Sequence, residues 1–293
     1  MSFNLFTFAR KINRPLILDG AMGSLLQQKG IKSQGELWTS LTNLVNPELV
    51  FEIHKSYIKA GADIITTNTF RTNPVAVNSQ SSIRFERFVK ISVQLAKDAT
   101  KGHNVLIAGS NAPAEDCYQV ERKISKKELE QNHKQNIDEL VNSGCDFVLN
   151  ETQSHFDEIK IICDYCNSNS VPFVLSLFVT DNLNLLSGQK IQEVLNFIKD
   201  KNPLAIGFNC IKPKIFNLIY KNLKLDFNWG FYLNLGAGDY RQRKFVTLLS
   251  PSSYANIVYK YLSKSPSFIG GCCGSNPNHI KKLRDKLYGK INN

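Results

Sequence analysis

The stretch SFIGGCCG, residues 267–274, joins a short apolar run to glycines and a pair of cysteines. Its pattern is an apolar run that ends in glycine or polar residues, and similar runs are followed along the chain by longer stretches with helical spacing. The apolar runs lie at residues 16–18, 63–67, 105–108, 146–149, 173–178, 204–208, 231–233 and 267–269. Strands that alternate with helices favour a parallel sheet, and eight such units predict an α/β fold, a closed (β/α)8 TIM barrel.

Helices are predicted between these runs, and their termini carry recognisable signals. Asn46 is predicted as an N-cap, with Pro47 at the first helical position, and Ser125 and Glu128 have the spacing of a capping box. No tandem repeat or low-complexity linker interrupts the units, so residues 1–293 are predicted to form one domain. The predicted helices span residues 47–60, 84–100, 126–142, 156–167, 191–199 and 277–288.

Composition narrows the class of protein. A chain of 293 residues with 42% hydrophobic content can bury a large core. Seven cysteines without a recognisable export signal suit a reducing compartment, and no apolar run is long enough for a membrane span, so we expect a cytoplasmic protein without a membrane partner. The formal charge of +11 raises the alternative of nucleic-acid binding, but the lysines are scattered over predicted helices, which is typical of solvated surface.

The adjacent pair Cys272 and Cys273 predicts a metal site. Neighbouring cysteines do not readily form a disulfide with each other, whereas a sharp bend at the flanking glycines could aim both sulfur atoms at one ion. Cys210 ends another apolar run and is the best candidate for a third thiolate. Three thiolates on Zn²⁺ leave one tetrahedral position open, which is typical of a catalytic site. The alternatives are a closed structural zinc site and three small buried core cysteines.

Polar residues follow most of the predicted strands. In a (β/α)8 barrel the carboxyl ends of all strands lie on one rim, so side chains far apart in sequence are expected to meet there. A metal-bound thiol loses its proton and becomes a nucleophile, so this rim favours alkyl transfer to sulfur. The residues expected at the rim are Asp19, Asn68, Ser110, Glu151, Ser176, Cys210, Asn234, Cys272 and Cys273.

Four stretches in this order resemble the homocysteine S-methyltransferase family: LILDGAMGS at 16–24, GADIITTNTF at 61–70, GFNC at 207–210 and GGCCG at 270–274. The resemblance implies a zinc-dependent enzyme that methylates the zinc-bound thiol of homocysteine to give methionine. It also implies that Asp19 and Glu151 contact the amino acid. By residue type, Asn68 and Ser176 are candidates for further hydrogen bonds to the substrate, with the alternative that each holds a loop in place. Asn234 matches an asparagine of the family's seventh strand, although the segment YLNLG lacks the family's usual proline.

The donor and the acceptor are less sharply defined. A small onium compound, S-methylmethionine or S-adenosylmethionine, is favoured, while a betaine-type donor and another acceptor thiol stay open. A non-catalytic barrel with a structural zinc ion is the alternative of a different class. Cys163 and Cys166 form a CxxC late in a predicted helix without a partner knuckle, and are interpreted as structural. No oligomeric state is predicted.

Overall fold

A computed structural model describes residues 6, 9, 14–237 and 245–288, and its centre is a barrel of eight parallel strands. Each strand lies within a few residues of a predicted apolar run. The strands are β1 (Leu16–Ile17), β2 (Ile64–Thr66), β3 (Leu106–Asn111), β4 (Phe147–Gln153), β5 (Phe173–Leu177), β6 (Ala205–Asn209), β7 (Trp229–Leu233) and β8 (Phe268–Gly271).

The sheet closes on itself between its first two strands. Neighbours follow the order β1-β8-β7-β6-β5-β4-β3-β2, and a parallel bridge between Leu18 and Ile64 joins the two ends. Two backbone bonds strengthen this junction, from Asp19 N to Ile64 O (2.9 Å) and from Asp63 N to Ile17 O (2.7 Å). The predicted (β/α)8 barrel is therefore confirmed.

Helices surround the barrel and fill the connections between strands. Those predicted from the sequence begin and end within one residue of their expected limits, while the helices that begin at Gly23, Thr42, Pro74, Pro213 and Pro251 had been given no limits. The helices are α1 (Gly23–Gln28), α2 (Thr42–Val45), α3 (Pro47–Ala60), α4 (Pro74–Asn78), α5 (Phe85–Thr100), α6 (Lys126–Ser143), α7 (Phe156–Ser168), α8 (Ile191–Lys199), α9 (Pro213–Asn222), α10 (Pro251–Tyr259) and α11 (Pro277–Tyr288).

Both predicted helix caps are found, and one of them makes its side-chain hydrogen bonds. Ser125 and Glu128 form the predicted capping box at the start of α6, with each side chain satisfying a backbone N–H. Asn46 occupies the predicted N-cap position of α3, although its side chain makes no capping hydrogen bond. Pro47 stands at the first position of α3 and needs no hydrogen-bond acceptor there, which removes one of the donors a cap would satisfy.

The core has an inner and an outer layer because successive strand residues face opposite sides of the sheet. Leu16 and Leu18 point into the barrel, whereas Ile17 packs outward under the helices. The ring of Phe268 fills the barrel interior where Gly230 leaves room, since a Cβ on Gly230 would lie 2.3 Å from that ring. Large apolar side chains therefore close the lower barrel, and the polar groups collect above them at the carboxyl ends of the strands.

Two expectations concern parts of the chain beyond the barrel strands. Within the described ranges, no helix combines the length and the apolar character needed to cross a bilayer. The N-terminal stretch on which the absence of an export signal was predicted lies mostly outside the described residues. The single domain over residues 1–293 stays a prediction.

Candidate metal and substrate site

Three cysteines meet at the carboxyl end of the barrel. Cys210 directly follows β6, and Cys272 and Cys273 directly follow β8. Their sulfur atoms all lie within 4.8 Å of one another, and those of Cys210 and Cys273 are 3.6 Å apart. Among the described residues, this is the one group of three or more His, Cys, Asp or Glu side chains close enough to share a metal ion.

The backbone around the cysteines explains how they converge. Cys210 has a left-handed φ of +55°, which turns its side chain out of the strand direction, and Gly274 has a φ of +83°. Gly270 and Gly271 were expected to supply the bend, but they belong to β8 and have no positive φ. They are small for another reason, since a Cβ on Gly271 would lie 2.6 Å from Ser275 Cβ.

The segment that carries Cys272 and Cys273 is fastened to the loop after β1. Ser275 Oγ accepts a hydrogen bond from Ala21 N (2.9 Å), and Ser24 Oγ accepts one from Gly274 N (3.0 Å). Tyr57 of α3 also donates to Ala21 O (2.9 Å). The two stretches LILDGAMGS and GGCCG, at opposite ends of the chain, therefore fix each other's position.

Hydrogen bonds make Cys210 the most acidic of the three thiols. Those from Cys272 and Cys273, and one from the Tyr118 hydroxyl at 3.1 Å, hold the pKa of Cys210 well below its usual value. The pKa values of Cys272 and Cys273 are raised, chiefly by their hydrogen bonds to Cys210. The Asn234 side-chain amide lies 3.8 Å from Cys210 Sγ. Cys210 thus has the environment of a thiolate that accepts hydrogen bonds from its neighbours.

Two buried carboxyl groups lie in the same cavity. Asp19 accepts hydrogen bonds from the backbone N–H and the hydroxyl of Thr66, both at 2.9 Å. Glu151 accepts from Ser110 Oγ at 2.5 Å and from the Tyr232 hydroxyl at 3.3 Å. Burial raises the pKa of Asp19 to about 8 and that of Glu151 to about 7. A cationic ligand such as an ammonium group would stabilise the charged form of both carboxylates.

Of the other residues expected at the rim, Asn68 and Asn234 line the cavity and Ser176 does not. Asn68 lines the cavity and donates to Asn43 Oδ1 at 3.0 Å. Asn234 also lines it, and its Oδ1 accepts from Gly236 N at 2.9 Å. Ser176 was expected on the rim, but it lies inside β5, fully buried, and is not among the residues that line the cavity.

The donor set and its spacing fit a zinc ion. Two sulfur atoms bound to tetrahedral zinc at about 2.3 Å each are separated by about 3.8 Å. The 3.6 Å between the sulfur atoms of Cys210 and Cys273 is close to that value. Cys163 and Cys166 are both fully buried in α7, away from the group, as expected for core cysteines.

A family model described as homocysteine S-methyltransferase matches residues 16–287. The chain belongs to the homocysteine S-methyltransferase family. It is 26% identical to homocysteine S-methyltransferase 3 of Zea mays, over 93% of this chain and 90% of the relative, and 25% identical to homocysteine S-methyltransferase 1 of Brassica oleracea var. italica, over 92% and 93%. The fold matches the crystal structure of the metallated form of the homocysteine methyltransferase MmuM from Escherichia coli, with a TM-score of 0.77 and 23% identity over 93% of this chain and 96% of that one.

The cavity of this homocysteine S-methyltransferase family member has a volume of about 880 Å³. Sequence reasoning missed much of its wall, because most of these residues come from loops rather than from strand ends. One signal was available for Arg71, which follows Asn68 by three positions in the loop after β2. Tyr118 likewise follows directly after Cys117. The missed wall residues include Trp38, Phe70, Arg71, Cys117, Tyr118, Phe178 and Phe245.

Proposed function

We propose that the protein transfers a methyl group from a small onium donor to the thiol of homocysteine, giving methionine, with a zinc ion held by Cys210, Cys272 and Cys273. The donors favoured are S-methylmethionine and S-adenosylmethionine. The observation that carries this proposal is the group of three sulfur atoms on the wall of a cavity of about 880 Å³. That volume lies in the range of small-molecule sites and leaves room for both an amino acid and a donor.

The zinc ion would contribute one property of the reaction. When bound, it acts as a Lewis acid that favours the thiolate form of a substrate thiol at neutral pH. Three protein ligands, rather than four, support a catalytic site over a structural one. Among the described residues, no fourth Cys, His, Asp or Glu belongs to the group.

The protein's own residues would orient the acceptor. Asp19 and Glu151 are buried acids in the cavity. The ammonium group of an amino acid would supply the opposite charge that stabilises their carboxylate forms. Asn68 and Asn234 place side-chain amides on the same wall. We propose that these four residues hold the amino-acid end of homocysteine and so direct its sulfur towards the cysteines. Ser176 is fully buried beneath this wall and would act through the residues above it.

Aromatic rings near the cysteines suit a positively charged donor. Tyr118 packs edge-on against Phe178, with ring centroids 5.2 Å apart, and its hydroxyl touches Cys210. Ring faces attract onium cations but offer no competing nucleophile. In the transfer, the bond from the methyl carbon to the onium centre breaks as the bond to the homocysteine sulfur forms. The donor leaves uncharged at that centre, and the thiol proton is lost.

A methionine-formation assay tests the proposal. Zinc-loaded protein is incubated with homocysteine and one donor at a time. The donors are S-methylmethionine, S-adenosylmethionine and betaine, each carrying a trideuterated methyl group. We expect trideuterated methionine with at least one sulfonium donor, and none from protein stripped of metal by a chelator. If folded, zinc-loaded protein forms no labelled methionine from any donor, the proposed function is wrong. The reaction would contribute to methionine synthesis, and the seven cysteines suit the reducing cytoplasm.

A further inference from the structure

Arg71 is a buried arginine in the cavity wall that neither the metal site nor the acceptor site uses. Its side chain is only 4% exposed, and it lies in the loop after β2. Its Nε donates to Glu36 O (2.8 Å), its Nη1 donates to Glu115 O (2.7 Å), and its Nη2 pairs with the Glu36 carboxylate. One guanidinium therefore joins three separate connections of the barrel, those after β1, β2 and β3.

Each partner of Arg71 lies next to an aromatic residue of the cavity. Glu36 precedes Trp38 by two residues, and Glu115 precedes Tyr118 by three. Between Glu115 and Tyr118 the chain makes a tight turn, in which Asp116 Oδ1 accepts from Tyr118 N at 3.0 Å. The guanidinium thus fixes the backbone immediately before the two rings that line the cavity.

Trp38 is held in a conformation that its own backbone disfavours. It has a left-handed φ of +47°, which is costly for a residue with a large side chain. Its indole ring packs edge-on against Phe70 at 6.0 Å and lies so close to Gly23 that a Cβ there would be 2.3 Å from the ring. Such strain persists only where the surroundings enforce it, and the bonds from Arg71 to Glu36 are part of that enforcement.

A lysine in place of Arg71 could not make the same set of hydrogen bonds. The planar guanidinium presents donors along fixed directions and can bond carbonyl groups of two different segments at once, whereas an ammonium group is a compact point charge on a flexible stem. Arg71 bonds both Glu36 O and Glu115 O, which belong to different loops, so this position requires a guanidinium group.

We propose that Arg71 is a positioning residue for the methyl donor, which sets the separation of the Trp38 and Tyr118 rings that receive the onium group. This inference rests on the proposed function. It assigns to Arg71 no contact with the reacting atoms. Its consequence is selective, because the acceptor residues Asp19 and Glu151 make no bond to Arg71 or to its partners.

The test compares Arg71→Gln and Arg71→Lys with the wild-type protein, and uses Arg14→Gln as the matched control. Arg14 also pairs with an acid, Asp63 (3.2 Å), but both precede their strands and so lie at the opposite end of the barrel. We expect Arg71→Gln to raise the KM for the donor about tenfold or more, Arg71→Lys to raise it less, and Arg14→Gln to leave it unchanged. The KM for homocysteine and the zinc content should stay the same in all three.

A second measurement separates this inference from the proposed function. Trp38 and Trp229 are the two tryptophans of the chain, and Trp229 is fully buried. Acrylamide should therefore quench tryptophan fluorescence more strongly in Arg71→Gln than in the wild type, whatever the activity. If the wild type shows no turnover while quenching still rises, the function is wrong and the structural role of Arg71 stands.

Two results would overturn the proposal. One is an equal rise in the KM for donor and homocysteine in Arg71→Gln, which would indicate general loss of structure. The other is unchanged quenching together with an unchanged donor KM. Should Arg71→Gln fail to fold, Glu36→Gln provides the same test, since it weakens the ion pair and keeps the carbonyl acceptor. It should raise the donor KM about two- to fivefold.

Discussion

The two sides of the cavity are built in different ways. The side proposed to bind the acceptor consists of residues in or next to the ends of strands, such as Asp19, Glu151 and the cysteines, which the hydrogen-bonded barrel holds directly. The side proposed to bind the donor consists largely of aromatic residues on loops, and side-chain hydrogen bonds such as those of Arg71 hold these loops together. The first side presents carboxyl groups and sulfur atoms, while the second presents mainly aromatic rings. Changes on the first should therefore affect metal and homocysteine, and changes on the second should affect the donor.

The largest effect is expected at the cysteines. Replacing Cys210, Cys272 or Cys273 with Ala removes one of the three proposed zinc ligands, so the protein should no longer retain stoichiometric zinc, and kcat/KM should fall by about 10³ or more. Metal analysis and the methionine assay measure the two losses. Cys163→Ala is the control, because it removes a buried thiol outside the group and should keep both zinc and activity. A cysteine variant that keeps full activity would contradict the ligand assignment.

The next effect separates the two sides directly. Glu151→Gln removes the carboxyl group proposed to bind the ammonium group of homocysteine, so the KM for homocysteine should rise by roughly 10- to 100-fold while the KM for the donor changes little. Steady-state kinetics with each substrate varied in turn measure both constants. Ser110→Ala is the matched control, since it removes only a hydrogen bond to the Glu151 carboxylate and should have a smaller effect in the same direction. An equal change in the KM for homocysteine and the KM for the donor would argue against separate acceptor and donor sides of the cavity.

Tyr118 connects the two sides, because its ring faces the donor region and its hydroxyl touches Cys210. Tyr118→Phe keeps the ring and removes the hydrogen bond to the sulfur, so kcat should change only about two- to fivefold. In cobalt-substituted protein the sulfur-to-metal charge-transfer band should move to lower energy, since the thiolate becomes a stronger electron donor. Tyr220→Phe removes an exposed hydroxyl bonded to Ser263 and serves as the control. An unmoved band would show that the hydroxyl does not act on Cys210.

The smallest effect concerns pH and the stability of the metal-free protein. The pKa of Asp19 is about 8 in the folded state, well above the value of about 4 for an unfolded chain. The stability from its proton is full below pH 4 and is lost as the pH rises towards 8. Between pH 6 and 9 the Tm of the wild type should therefore fall more than that of Asp19→Asn, with about 2–4 °C for each kcal/mol. Parallel curves for the two proteins would show that Asp19 does not titrate in this range.

The sequence was most informative where local chemistry and position agreed. Apolar runs located all eight strands, and the cysteines next to two of them pointed to one rim. The parts that were missed depend on long-range bonds without a periodic signal. Arg71, for example, bonds residues 35 and 44 positions away, and nothing in the local sequence identifies those partners. Ser176 shows the limit of the strand-end rule, because it falls one residue before the end of β5 and is buried beneath the cavity.

The bonds of Asp19 also bear on the integrity of the barrel. Its carboxylate satisfies the amide of Thr66 at the one junction where the sheet is completed by a single bridge rather than by a continuous ladder. The Asp19 side chain, which is proposed to bind homocysteine, thus also helps to hold the first and second strands together. Ligand binding in the cavity should therefore stabilise the contact between the first and second strands. In the protein without ligand, this strand pair should open more readily than the others.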